Sequence, residues 1–286
     1  MTMFNILTLN KISKVGLDKL DPAKYTCSDS VEAPDAILVR SASMHEMTLS
    51  PATLAIGRAG AGVNNIPVAD FGAQGVAVFN TPGANANAVK ELVLCSLFLA
   101  SRKVASAVDW CKTLKGEGDA VGKLVEKGKS AFAGPEILGK TLGVIGLGAI
   151  GTLVAEGAKA LGMDIVGYNP KLSEERIADL TSKGVKLMSS LDELYAASDY
   201  ITLHLPLNDS TRGMINGEAI AKMKDGVRIL NFARGELVDS DALIAALGSG
   251  KAAAYVTDFP TDAQIGVDGV TAIPVSYTHL RAHETV

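Results

Sequence analysis

A glycine turn in the middle of the chain constrains this sequence more than any other feature. Residues 141–151 read Thr-Leu-Gly-Val-Ile-Gly-Leu-Gly-Ala-Ile-Gly: a short apolar run, then Gly146, Gly148 and Gly151 in G-x-G-x-x-G spacing, then a helical pattern. A strand that ends in such a turn and opens a helix is the context in which this spacing binds a dinucleotide. Gly146 permits the tight turn. Gly148 removes the side chain that would hold a pyrophosphate off the backbone, and Gly151 lets helix and strand pack closely. Ala149 and Ile150 open a helix whose free N–H groups and positive dipole end favour phosphates. Since so much chain precedes this turn, a second domain is expected there, most simply the substrate half of an oxidoreductase.

Short apolar runs alternate with helical patterns on both sides of the turn. Before it, strands are expected over 5–9, 36–40, 54–58 and 76–80, with helices over 11–20 and 67–74. A long helix should then run from 87 to 114, with Asn85 or Asn87 as its cap. A polar excursion over 116–139 follows, with a surface helix over 123–129. After it, six strands (142–145, 164–168, 185–188, 200–205, 227–232, 253–257) alternate with helices over 150–161, 174–183, 191–197, 217–223 and 240–247. This rhythm predicts parallel, doubly wound α/β sheets.

The net charge of −4 gives no electrostatic reason to expect nucleic acid or an anionic membrane surface as a partner. Cys27, Cys95 and Cys111 show no paired spacing, so neither a disulfide framework nor a zinc ribbon is expected, which fits a reducing cytoplasm. Cys95 is expected in the core of its helix. The longest apolar stretch, 92–100, is too short to span a bilayer, and no secretory leader is expected. His279 and His283 stand four apart beside Glu284, but no third ligand accompanies them, so no metal site is expected.

Two further positions bear on chemistry. The second strand of the later array ends at Tyr168-Asn169-Pro170, where a carboxylate ordinarily holds the adenosine ribose. Asn169 can still bond a hydroxyl but does not repel a 2′-phosphate, and Lys171 follows it; NAD is expected, with NADP open. The run from Asn231 to Asp239 delivers Arg234 to the carboxyl edge of a strand, where its planar fork suits a carboxylate.

With these runs in view the chain resembles the D-isomer-specific 2-hydroxyacid dehydrogenase family, and within it the short bacterial enzymes that oxidise D-3-phosphoglycerate. The resemblance is carried by Val39-Arg40-Ser41, the segment Gly57 to Ile66, Asn80-Thr81-Pro82-Gly83-Ala84-Asn85, the mid-chain fingerprint, His204-Leu205-Pro206-Leu207, Asn231 to Asp239, and Thr257-Asp258-Phe259-Pro260. It implies a flavodoxin-like substrate domain over 1–99 and a Rossmann NAD-binding domain over 100–274, both doubly wound parallel sheets. It also implies NAD-dependent oxidation of D-3-phosphoglycerate to 3-phosphohydroxypyruvate, the first step of serine biosynthesis, in a cytoplasmic homodimer acting on a small-molecule substrate. Arg234 would bind the substrate carboxylate and polarise the reacting carbonyl, and Gly60, Ala61 and Gly62 would offer it backbone N–H groups. Arg40 and Arg58 would take the substrate phosphate. Leu205 and Pro206 would wall the adenine, Phe232 and Ala233 would border the nicotinamide, and Asp258 would contact its carboxamide.

The same resemblance requires a histidine as general base, held by a carboxylate. Asp262 falls near the carboxylate position. The family pattern stops after Pro274, where a His-Leu-Gly-Ala run and a returning helix are expected. Residues 275–286 read instead as a non-native tail, so the chain is expected to be a C-terminally truncated, inactive or weakly active fragment. Two other readings stand beside this one: a hydroxypyruvate or glyoxylate reductase of the same family, and a non-catalytic NAD-sensing interaction module.

Overall fold

The computed structural model describes residues 3–60 and 62–274, and the chain forms two compact units that divide between residues 88 and 89. The segment that contains His279 and His283 lies outside the described residues.

The first unit runs β1 (Phe4–Leu9), α1 (Lys14–Leu17), β2 (Tyr25–Ser28), β3 (Ala36–Val39), β4 (Ala55–Arg58), α2 (Val68–Ala73) and β5 (Ala77–Asn80). All strands are parallel, in the order β2-β1-β3-β4-β5. The core is built from Leu7, Ile37, Val39 and Ile56 of the sheet with Met44, Ile66, Phe71 and Val76 from the connections. Each such side chain stabilises the fold by roughly 1.5–3 kcal/mol relative to exposure. The edge strand β2 is unexpected from the sequence: its residues are exposed or half-buried, so it carries no apolar alternation. The helix expected over 11–20 is confined to the four residues of α1.

The second unit contains α3 (Ala86–Ser101), in which the division falls, then α4 (Val104–Thr113), α5 (Val121–Gly128), β6 (Thr141–Ile145), α6 (Ala149–Ala160), β7 (Asp164–Tyr168), α7 (Glu174–Ser182), β8 (Val185–Leu187), α8 (Leu191–Ala197), β9 (Tyr200–Leu203), α9 (Gly217–Lys222), β10 (Val227–Asn231), α10 (Ser240–Ser249), β11 (Ala252–Thr257) and β12 (Val270–Ala272). Its parallel sheet has the order β12-β11-β10-β9-β6-β7-β8, so the winding reverses between β6 and β9. Helix starts follow the sequence: Ser173, Ser190, Asn216 and Asp239 each cap a helix through a side-chain oxygen. The seventh strand, β12, is three residues long and was not expected.

The helix expected to run from 87 to 114 is two helices. Ser101 Oγ donates to the Leu97 carbonyl at 2.5 Å and bonds Tyr200 Oη at 2.8 Å, which pins the end of α3 to the sheet. Gly134 packs so tightly there that a Cβ on it would stand 1.9 Å from the Ser101 carbonyl oxygen, leaving no room for the helix to continue. Arg228 lies over the Tyr200 ring and its Nε donates to the Ala100 carbonyl at 2.9 Å, satisfying a helix-end acceptor. α3 buries Val89, Val93 and Leu97 but turns Phe98 and Cys95 outward, so Cys95 is exposed and not a core residue.

The amino edge of the second sheet is tied by charge. Asp199 accepts from the Thr141 N–H at 2.8 Å and from Lys224 Nζ at 3.0 Å, and Lys251 pairs with Asp225. Burial pushes the Asp199 carboxyl up, but these two donors outweigh it and hold the group below its ordinary value.

Candidate functional site

The carboxyl edge of the first sheet carries Arg40 and Arg58 on adjacent strands. β3 and β4 pair in register, Val39 opposite Arg58, and Arg58 Nε donates to the Arg40 carbonyl at 3.1 Å. The Arg58 guanidinium lies across Gly60, where a Cβ would stand 2.1 Å from Nη1. The Gly60 N–H is taken by Thr81 Oγ1 at 2.8 Å and the Arg58 carbonyl at 2.9 Å. Ala61 lies outside the described residues, and Gly62 is half-buried.

Three residues support this edge; of these Asn10 went unread in the sequence, Asn65 falls in the Gly57 to Ile66 run, and His45 is expected there as a surface histidine. Asn10, in the left-handed region at φ 65°, accepts from the Ser41 and Ala42 N–H groups and so fixes the turn after Arg40. Asn65 Nδ2 donates to the Ala42 carbonyl at 2.8 Å. His45 is bonded to the Asn64 carbonyl at 2.9 Å.

The carboxyl edge of the second sheet carries the glycine turn at its winding reversal, the position at which doubly wound sheets bind ligands. Gly146 has φ +94°, and a Cβ there would lie 2.5 Å from the His204 carbonyl oxygen. A Cβ on Gly151 would lie 2.0 Å from the Gly146 carbonyl oxygen. At Gly148 a Cβ would meet nothing within 4 Å, so the turn leaves open space there. Gly148 and Ala149 are exposed, Ile150 is half-buried, and α6 has no side-chain cap on its first turn. Two glycines are required by the fold and the third faces a vacant approach to uncapped N–H groups, which fits a bound pyrophosphate.

Around this turn stand the other expected cofactor residues. Asn169 follows β7; its Oδ1 accepts from the Leu147 N–H at 3.2 Å and its Nδ2 donates to the Lys171 carbonyl at 2.8 Å. Leu205 packs against Gly146, and Pro206 is exposed beside it. His204 is bonded to the buried Thr202 hydroxyl at 3.0 Å, and burial pushes its imidazole down to about 3. Held below its ordinary value, the imidazole is neutral near pH 7. Arg176, unread in the sequence, donates from α7 to the Leu147 carbonyl and the Thr152 hydroxyl and pairs with Asp179.

Arg234 follows β10 and donates to the Ala233 carbonyl at 2.6 Å. Its turn is held by a closed ring of buried hydrogen bonds. Asn231 Nδ2 donates to the Arg234 carbonyl at 2.8 Å and to Tyr255 Oη at 3.2 Å. Tyr255 bonds Thr257, and Thr257 Oγ1 donates to the Asn231 carbonyl at 3.0 Å. Phe232 is buried, Ala233 half-buried, and the Oδ1 atom of Asp258 is buried after β11. Asp262 is exposed at the start of a 3-10 turn, and no described histidine pairs with it. Among the described residues no group of three metal-ligating side chains converges.

A family profile described as the D-isomer specific 2-hydroxyacid dehydrogenase, NAD binding domain, matches residues 94–273. A hydroxypyruvate reductase of Thermotoga maritima is 41% identical over 252 residues, covering 84% of this chain and 76% of its own. A D-3-phosphoglycerate dehydrogenase of Mycobacterium leprae is 41% identical over 224 residues, covering 77% of this chain; the chain spans only 40% of that relative's length. Among solved structures, the Aquifex aeolicus D-lactate dehydrogenase complexed with NAD and lactic acid aligns with a TM-score of 0.75 at 26% identity, covering 98% of this chain and 92% of that one.

Proposed function

Because this chain belongs to the D-isomer specific 2-hydroxyacid dehydrogenase family, we propose that its protein oxidises D-3-phosphoglycerate to 3-phosphohydroxypyruvate, at the entry to serine biosynthesis. Residues 1–99 serve the substrate and residues 100–274 the cofactor. The observation that supports the phosphorylated substrate is that Arg40 and Arg58 stand at neighbouring strand ends, with Arg58 Nε donating to the Arg40 backbone carbonyl at 3.1 Å. Two planar guanidinium forks on one sheet edge suit a phosphate dianion.

NAD, when bound, supplies the hydride acceptor. The residues of this chain do the rest. The turn from Gly146 to Gly151, with Ala149 and Ile150, holds the pyrophosphate; Leu205 and Pro206 wall the adenine; Phe232 and Ala233 border the nicotinamide, and Asp258 meets its carboxamide. Arg234 binds the substrate carboxylate and draws electron density from the reacting carbonyl. Gly60, Ala61 and Gly62 would offer the same carboxylate backbone N–H groups; the Gly60 N–H is at present taken by Thr81. Asp262 would be the carboxylate that orients the general base, which none of the described histidines supplies. The protein works as a cytoplasmic homodimer. No described helix is long and apolar enough to cross a membrane, and its three cysteines are free. Light scattering on the eluted protein tests the dimer.

Isothermal titration of 3-phosphoglycerate and glycerate into the NADH-loaded chain tests the substrate. Substituting Arg40→Gln or Arg58→Gln should weaken phosphoglycerate selectively; equal losses on both acids would remove the assignment. The Thermotoga relative favours a second reading, a hydroxypyruvate reductase. That enzyme would bind hydroxypyruvate no worse after Arg40→Gln.

A further inference from the structure

We propose that a cavity at the amino edge of the second sheet binds a small, doubly charged oxyanion of the phosphate type. The cavity lies at the opposite edge from the glycine turn, and neither the nucleotide nor the substrate reading above uses it.

The cavity has a volume of about 320 Å³, at the small end of the range for ligand sites. It lies where three strands begin. Lys140 immediately precedes β6, Asp199 precedes β9, and Gly226 precedes β10; Arg228 is the second residue of β10. Arg228 is half-buried and held from three sides. Its Nε donates to the Ala100 carbonyl at 2.9 Å, its Nη1 donates to the Gly226 carbonyl at 3.2 Å, and the guanidinium carbon stands 5.4 Å from the centre of the Tyr200 ring. These contacts fix the fork before any ligand arrives, so little side-chain freedom is lost on binding. Two of its five N–H hydrogens are spent in this way, and the other three have no partner among the described residues.

The charge around the cavity is unbalanced. Both oxygens of Asp199 are taken, Oδ2 by the Thr141 N–H at 2.8 Å and Oδ1 by Lys224 at 3.0 Å. Asp225, which also lines the cavity, pairs with Lys251 at 2.8 Å. Glu136, beside the lining residue Pro135, pairs with Arg102. Each nearby carboxylate thus has a cation of its own. Lys140 and Arg228 are left over, since neither forms an ion pair among the described residues. Lys140 is exposed, and its ammonium acts on Asp199 only at a distance, helping to hold that carboxyl below its ordinary value. A dianion balances these two cations. A fixed planar fork beside an ammonium on a flexible stem suits a tetrahedral oxyanion, the arginine holding its oxygens in a defined plane and the lysine following the rest of the charge. The same excess disfavours a metal cation, and four charged side chains in the lining disfavour an apolar ligand.

Inorganic phosphate is the probe. Calorimetry follows its titration into the NADH-loaded full chain carrying Arg40→Gln and Arg58→Gln, so that neither the glycine turn nor the edge of the first sheet takes the anion. Saturable binding is expected. Sulfate should compete with it, and acetate at the same ionic strength should not. Adding Lys140→Ala, at an exposed position that carries no ion pair, should weaken phosphate by about tenfold and leave NADH affinity unchanged. In the unmodified chain the backbone amide resonances of Gly226 and Ala253 should shift as phosphate is added, which places the anion without any substitution. Absence of saturable binding, binding unaltered by Lys140→Ala, or resonance shifts confined to the glycine turn and the first sheet would each overturn the proposal.

Discussion

Asn231 Nδ2 donates to the carbonyl of Arg234 at 2.8 Å, three residues along the chain, and with Tyr255 completes a buried ring behind the arginine. The amide carries two hydrogens, and both are used. Tyr255 is fully buried, and burial raises its hydroxyl above the ordinary value, so it serves as a neutral donor and acceptor. The backbone of Arg234 is therefore fixed by residues that never reach the protein surface.

Tyr255→Phe opens that ring and leaves one Asn231 hydrogen without a partner. The expected loss is about 1–3 kcal/mol of stability, read by urea denaturation. Oxalate, as a carboxylate probe on the NADH-loaded chain, should bind more weakly while NADH itself binds unchanged. Parallel loss of both ligands would show that the ring merely holds the fold.

Gly148→Ala and Gly151→Ala should separate cleanly. The first adds a methyl into open space, so the melting temperature holds while nucleotide affinity falls. The second drives a Cβ to within 2.0 Å of a carbonyl oxygen. Both melting temperature and affinity should then fall. Thermal melts with and without NAD distinguish the two.

Gly134→Ala probes the break after α3. Its Cβ would stand 1.9 Å from the Ser101 carbonyl, which is backbone and cannot swing aside. A loss of about 2 kcal/mol or more is expected by urea denaturation.

His204 gives stability a pH dependence with a definite sign. Its folded pKa, about 3, lies below the ordinary 6.5. The unfolded chain gains a proton there across that window and the folded chain does not. Stability is therefore fully present above about 6.5 and falls as pH drops toward 3, by up to about 1.4 kcal/mol per pH unit. Asp199, held below its ordinary 3.8, adds a further loss in more acid solution, as pH falls through its folded value. His204→Gln should flatten the upper part of the profile, read by urea denaturation at each pH; an unchanged slope would show that His204 titrates normally.

Much of this architecture was legible from periodicity. The strand at Asp164–Tyr168 and the helix at Leu191–Ala197 occupy their expected residues, because each has clear patterning and a turn or cap beside it. The strands β2 and β12 escaped because they are short edge strands with no buried apolar alternation. The break between α3 and α4 escaped because its cause is tertiary: Tyr200 and Gly134 lie far along the chain from Ser101. At the site, the glycine turn could be read from local spacing alone. The Asn10, Thr81 and Arg176 supports could not, since each reaches a partner more than twenty residues away.

The charged ties at Asp199, Lys224, Asp225 and Lys251 all sit at the amino ends of strands, and the glycine turn, Asn169 and Arg234 all sit at the carboxyl ends. The two rims are not alike. Charge drift among the amino-edge ties touches none of the residues at the glycine turn, whereas at the carboxyl edge Gly151 and His204 hold the fold beside the site. A lineage can retune durability at the first rim without disturbing the second, and the reverse does not hold.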